Sequence, residues 1–351
     1  MAILGIESAI YGVDDLATCT RFFEDFGLKP LAATADGAVF EVASGSKVLV
    51  RERADCGVKD WFAGNGVKLV VWGVDTQDAL DALVADLKTD RTVEDAGDGL
   101  WITRGDDGMP FGLKLWAKRA VVSQPDPVNA PGCIQRLNQH RKWRRRAQPK
   151  TLNHIVFFSN DYVASYEFYR DRLGFRMTDH SKGLGIFARA DGTNEHHSIF
   201  WVNTDLPVAP DEQGFMHLAF GLEDIDEVML GANIMNDKGW VNSSQNSSGG
   251  LSRHRISSAI YYYMDCPAGG EAEYHCDTDY LDDNWVPRAW EWKFGALLWA
   301  HKTPPFFRSD NADWDMSFDA KEASLDQFRK SAKAALPEGL GSITPEDEHA
   351  L

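Results

Sequence analysis

Apolar residues in this chain fall into short blocks that recur with the same order of textures. Runs such as GVKLVVWG from Gly66, TLNHIVFF from Thr151 and GFMHLAFG from Gly214 are almost continuously apolar and bounded by turn residues, which reads as buried strand. The run at 151 leads into a segment with helical spacing, where Phe168 and Leu173 recur with Tyr162 and Tyr169 on one face. Shorter alternating runs follow, closed by turn chemistry such as Asp265, Pro267, Gly269 and Gly270. The pattern predicts an α+β protein in which each unit is a strand, an amphipathic helix and then hairpins.

Two of the apolar strands contain one histidine each, His154 and His217. A single histidine in such a strand is more often a hydrogen-bonded core residue than a ligand. The segment 249–274, GGLSRHRISSAIYYYMDCPAGGEAEY, adds His254, Tyr263 and Glu273. Strands alternate their faces with period 2, so a hairpin turning at 265–270 aims Tyr263 and Glu273 into one cavity. Two histidines and a carboxylate on one face leave coordination positions open, the arrangement that suits non-haem Fe(II).

Four blocks carry a resemblance. LNHIVFFSNDYVASYEFYRDRLGFR ends in an FY-x-x-x-LGF signature, EHHSIF begins at Glu195, MHLAFGLED contains His217, and an RH…S…YY…P-x-G-x-x-x-EY pattern contains His254, Tyr263 and Glu273. In these blocks the chain resembles the type I extradiol ring-cleaving dioxygenases of the vicinal oxygen chelate superfamily. The first block is shared across that superfamily; the fourth is the specific one. The resemblance implies two domains of paired βαβββ modules, with Fe(II), or alternatively Mn(II), held by His154, His217 and Glu273. It implies a catecholic substrate and O2, with Tyr263 and His254 contacting substrate oxygens and His197 acting as acid and base. His196 adjoins His197, and adjacent strand residues face opposite ways, so only one can face the metal; His197 is chosen by its place before Ser-Ile-Phe. Ser258, where many relatives carry a further histidine, and a longer 203–214 connection depart from the family pattern.

The first half repeats the grammar of the second, with residues 22–28 echoing 168–175 and the run at Gly66 echoing that at Gly214. Aligned this way, Ser8, Leu69 and Trp116 fall opposite His154, His217 and Glu273, the last by matching Pro110-Phe-Gly to Pro267-Ala-Gly, so the first half is expected to hold no metal. The expected divisions are 1–120, a linker at 121–150, a catalytic domain at 151–300 and a tail at 301–351. The tail reads as one helix at 321–336 with a frayed acidic end, and 241–250 as a mobile loop.

Composition refines this reading. The formal net charge of −17 over 351 residues argues against a nucleic-acid partner. Five cysteines without CxxC spacing fit a reducing, cytoplasmic setting, and no apolar run or basic leader addresses the chain to a membrane or to export. The basic run from Arg141 to Arg146 reads as a solvated or intersubunit salt-bridging face. A homo-oligomer is expected from the resemblance. Two alternatives stay open: another metal-dependent enzyme of the superfamily, glyoxalase-like or 4-hydroxyphenylpyruvate dioxygenase-like, and a non-catalytic bleomycin-resistance-type binding protein.

Overall fold

The structure, a computed structural model, describes residues 3–34, 37–206, 209–243, 249–303 and 314–330. Its first half contains β1 (Ile3–Val13), α1 (Leu16–Phe26), β2 (Lys29–Thr34), β3 (Gly37–Glu41), β4 (Lys47–Glu52), β5 (Gly66–Val74), α2 (Gln77–Leu87), β6 (Glu94–Asp95), β7 (Leu100–Arg104) and β8 (Pro110–Leu115). The second half repeats this with β9 (Thr151–Ser159), α3 (Tyr162–Leu173), β10 (Arg176–Ser181), β11 (Gly185–Arg189), β12 (Ile199–Asn203), β13 (Gly214–Gly221), α4 (Ile225–Asp237), β14 (Gly249–Arg253), β15 (Ile260–Asp265) and β16 (Glu271–Cys276). It then adds β17 (Arg288–Trp290), α5 (Trp292–Ala296), β18 (Trp299–Lys302) and β19 (Met316–Phe318).

The duplication is exact at the level of topology. The first sheet runs β2-β3-β4-β1-β5-β8-β7-β6; the second contains β10-β11-β12-β9-β13-β16-β15-β14 in the corresponding order, extended by β18 at one edge and by β17 and β19 at the other. In each, the two central strands are antiparallel (β1 with β5, β9 with β13), and each pairs in parallel with the last strand of a module (β4 and β8, β12 and β16). This is the βαβββ arrangement expected from the sequence.

Local chemistry explains where the helices begin and end. Asp15, Thr76, Asp161 and Asp224 each accept a hydrogen bond from a backbone N–H in the first turn of α1, α2, α3 and α4. Gly27 and Gly174 close α1 and α3 in the left-handed region at φ 105° and 75°. Helix α1 buries Cys19, Phe22, Phe23 and Phe26, one stripe at 3.6-residue spacing. Phe26 stacks on Tyr274 of β16 with ring centroids 3.9 Å apart and an interplanar angle of 14°, and the Tyr274 hydroxyl donates to the Phe26 carbonyl at 2.6 Å. One continuous apolar cluster therefore includes residues of both halves.

Between the sheets, 121–150 carries no helix and no named strand. Its basic run stays largely exposed, with some of its cations paired within the chain. Arg144 pairs with Glu223 and Asp224 at 2.6 and 2.8 Å, Lys142 and Lys150 with Glu223, and Arg141 with Asp226, so the cations clamp the acidic entry to α4. In the tail, the described part of the expected helix at 321–336 holds one short 3-10 segment, Ala323–Phe328; residues 331–351 lie outside the described residues, as do 244–248 of the expected mobile loop. Among the described residues no helix is long and apolar enough to cross a membrane.

Candidate metal centre and active site

Three adjacent strands in the middle of the second sheet bring three polar side chains together: His154 from β9, His217 from β13 and Glu273 from β16. All three are buried, at 5%, 4% and 1% exposure. His154 Nε2 lies 3.1 Å and His217 Nε2 3.2 Å from the same carboxylate oxygen, Glu273 Oε2, and the two nitrogens are 3.3 Å apart. Three ligand atoms on one face of an octahedron with bonds of about 2.1 Å are separated by about 3.0 Å, so this triangle fits a single ion. Glu273 Oε2 has no aligned hydrogen-bond donor despite its depth, as expected of an atom shaped to meet a cation.

Electrostatics favour the ligating forms. Burial pushes the Glu273 carboxyl up, but the His154 and His217 imidazoles beside it hold it well below the usual carboxylate range. Burial also lowers His154 below its ordinary value, which keeps a ring-nitrogen lone pair available.

Around this triangle the other sequence-predicted residues converge. Tyr263 on β15 is the register partner of Glu273, and its ring centroid lies 5.0 Å from that of His217. Burial, then the nearby Glu273 charge, raises its phenol well above the ordinary value, so it remains a neutral donor. His254, just past β14, shares a 2.8 Å hydrogen bond between Nδ1 and the Ala296 carbonyl, which leaves Nε2 without that proton; its ring stacks on Tyr261 at 3.9 Å. Burial pushes His254 down to about 4. His197 precedes β12, and its ring sits 4.0 Å from that of His154, whereas His196 turns the other way, to Asp179. Burial holds His197 well below the ordinary histidine range. Phe187 and Phe200, stacked at 3.8 Å and 3°, give an apolar wall whose edge meets His197.

Three features escaped the reading of the sequence. His275, two residues beyond Glu273 and therefore on the same face, is buried with both ring nitrogens lacking a hydrogen-bond partner, 5.5 Å from the His154 ring. Strand alternation from Glu273 could have found it. Asp179 and Arg288, which reach the site through His196, carry no local signal.

The first sheet makes the contrast. By pairing register, Val71 of β5 sits opposite Gly112 just as Ala219 of β13 sits opposite Glu273, so the counterpart of Glu273 is Gly112 and not Trp116. Pro110 begins a strand whereas Pro267 lies in a turn, which misaligned the two motifs. Ser8 and Leu69 stand at the histidine positions, and among the described residues the matching three positions hold no histidine or carboxylate. Its interior is aliphatic instead: Ile10, Leu69 and Val71, with Leu49, Leu100 and Ile102 packed against them.

Residues 151–230 match the Glyoxalase/Bleomycin resistance protein/Dioxygenase superfamily. The chain is 29% identical over 218 residues to Metapyrocatechase 2 of Cupriavidus necator, covering 60% of this chain and 62% of that protein. It is 29% identical over 163 residues to an iron-dependent extradiol dioxygenase of Rhodococcus jostii (strain RHA1), covering 43% and 50%. It thus spans less than two thirds of the length of these relatives. Among solved structures, the Mn(II)-bound glyoxalase from Novosphingobium aromaticivorans superimposes with a TM-score of 0.63 at 21% identity, over 88% of this chain and 98% of that one, a likeness of fold.

Proposed function

We propose that this chain, which carries a domain of the Glyoxalase/Bleomycin resistance protein/Dioxygenase superfamily, is an extradiol dioxygenase that opens the ring of a catecholic compound with O2, giving a hydroxymuconic semialdehyde-type product. The observation that carries this reading is the buried His154–His217–Glu273 triangle with Tyr263, His254 and His197 gathered around it. Names of similar proteins support the reaction class and leave the metal open between iron and manganese; we take Fe(II), with Mn(II) as the alternative. The same reading divides the chain into 1–120, 121–150, 151–300 and 301–351, and expects a cytoplasmic homo-oligomer.

His154 Nε2, His217 Nε2 and Glu273 Oε2 would hold the ion, whose chemistry when bound is to accept both diol oxygens and O2 at its open positions. The protein supplies the rest. Tyr263, neutral because buried, donates its O–H to the substrate oxygen that has lost its proton, a charge-assisted contact. His254, held through Nδ1 by the Ala296 carbonyl, presents Nε2 to a substrate oxygen. His197 Nε2 would accept the proton of the second diol hydroxyl and return it to the oxygen atom that departs when the O–O bond breaks, both atoms of O2 staying in the product. The Phe187 and Phe200 rings, with Val156, Val202, Leu206 and Trp292, form an apolar cluster that excludes water and matches an aromatic ring.

The test is anaerobic reconstitution with Fe(II), then air, following oxygen uptake and the yellow ring-fission absorbance across monocyclic and bicyclic catechols. Coupled uptake and colour that vanish in Glu273→Ala support the reading. Metal binding without either signal points to another chemistry of the superfamily, and absence of metal binding to a binding protein.

A further inference from the structure

The side of His197 facing away from the metal triangle holds an array that ring cleavage as described does not use. Asp179, on β10, is fully buried and is gripped by three donors from β17: Arg288 Nε and Nη2 at 2.7 Å each and Trp290 Nε1 at 2.8 Å. Strand β17 lies outside the duplicated eight-strand pattern and pairs in parallel with β10, setting Asp179 opposite Arg288. A fourth contact reaches Asp179 Oδ2 from His196 Nε2 at 2.6 Å, and His196 Nδ1 lies 3.0 Å from His197 Nδ1. His196 is fully buried.

The donor and acceptor inventory fixes the protons along this line. A carboxylate only accepts, so His196 donates from Nε2 to Asp179. Arg288 already balances the Asp179 charge, and a second cation there would be buried without an anion, so His196 is neutral and its Nδ1 carries only a lone pair. Two lone pairs 3.0 Å apart repel. His197 must therefore donate from Nδ1, and in the neutral ring that leaves Nε2 bare. We infer that Asp179 and His196 are positioning residues that lock His197 in the Nδ1–H tautomer, so that its Nε2 faces the reaction as a proton acceptor. The tautomer follows from these contacts and the charge balance at Asp179; its use in turnover rests on the ring-cleavage reading.

The first experiment reads the tautomer without metal or substrate. Long-range 1H–15N correlation of the imidazoles in the metal-free protein, with the His197 signals identified by their loss in His197→Gln, should show a protonated Nδ1 and a bare Nε2. In His196→Phe, which leaves the Asp179–Arg288–Trp290 grip intact, the His197 pattern should move toward Nε2–H. Co(II) titration should show the triangle still binding metal, which separates this effect from misfolding. Asp179→Asn should move the pattern the same way. A wild-type His197 protonated at Nε2 or at both nitrogens, or a pattern unmoved in His196→Phe, would overturn the inference.

In the catechol assay, His196→Phe should lower kcat on the order of 100-fold, the lower end of what a positioned acid–base group contributes, with KM little changed. A change in KM with kcat intact would overturn the positioning role. The expected tautomer in a protein that cleaves no catechol would leave the tautomer standing and remove the function instead.

Discussion

Truncating Phe26 tests whether the half without ligands supports the half that has them. Its ring is fully buried, stacked on Tyr274 at 3.9 Å and close to Phe220 at 4.9 Å and Phe22 at 5.6 Å. Removing a fully buried phenylalanine costs roughly 3–5 kcal/mol in transfer and cavity terms together. The hydrogen bond from the Tyr274 hydroxyl survives, because its acceptor is the backbone carbonyl of residue 26. Phe26→Ala should therefore destabilise the metal-free protein by about 4 kcal/mol. Urea unfolding at pH 7 measures this, and a double-mutant cycle with Tyr274→Leu should give a coupling of about 0.5–1.5 kcal/mol for the ring pair. A loss below about 1.5 kcal/mol, far under that range, or a coupling of zero, would refute the claim that the halves are joined through this stack.

Tyr263→Phe should keep metal binding but lower kcat in the catechol assay by about 10- to 100-fold, since one charge-assisted hydrogen bond is worth roughly 1.5–3 kcal/mol; unchanged kcat would remove its role. Arg144→Ala takes a partly buried cation from Glu223 and Asp224 and should speed tryptic cleavage within 121–150, a rate followed by gel and mass spectrometry; an unchanged rate would mean the clamp does not hold that segment. Burial pushes His180 down to about 3, below its unfolded value near 6.5, so the unfolded chain takes up the proton first and stability falls as pH drops through that window. The loss should reach about 2 kcal/mol by pH 5, and His180→Gln should flatten that part of the urea-midpoint profile; a parallel profile in the variant would refute the assignment.

What could be read from the sequence followed physical scale. His154, His217 and Glu273 could be singled out because each sits in a short strand within a block that resembles a known family, period 2 alone leaving core residue and ligand open, and the repeat of texture announced the duplication. The misplacement of Trp116 came from matching prolines across a hairpin; only the strand register, a hydrogen-bonding fact, puts Gly112 there. Asp179 and Arg288 are 109 residues apart and meet through a strand added after the duplicated unit, so no local pattern links them. The basic run at Arg141 was visible as charge, but its acidic partners at Glu223, Asp224 and Asp226 lie some eighty residues away. The division between His196 and His197 needed the side-chain directions themselves.

The two sheets also form a comparison within one molecule. Where the second carries histidines, a tyrosine and a carboxylate, the first carries serine, leucine, isoleucine, valine and glycine on the same scaffold. A sheet that buries polar groups gives up apolar packing, and its aliphatic twin, packed against it through α1, supplies apolar burial of its own. Chemistry can then drift in one half, residue by residue, while the other half keeps the chain folded.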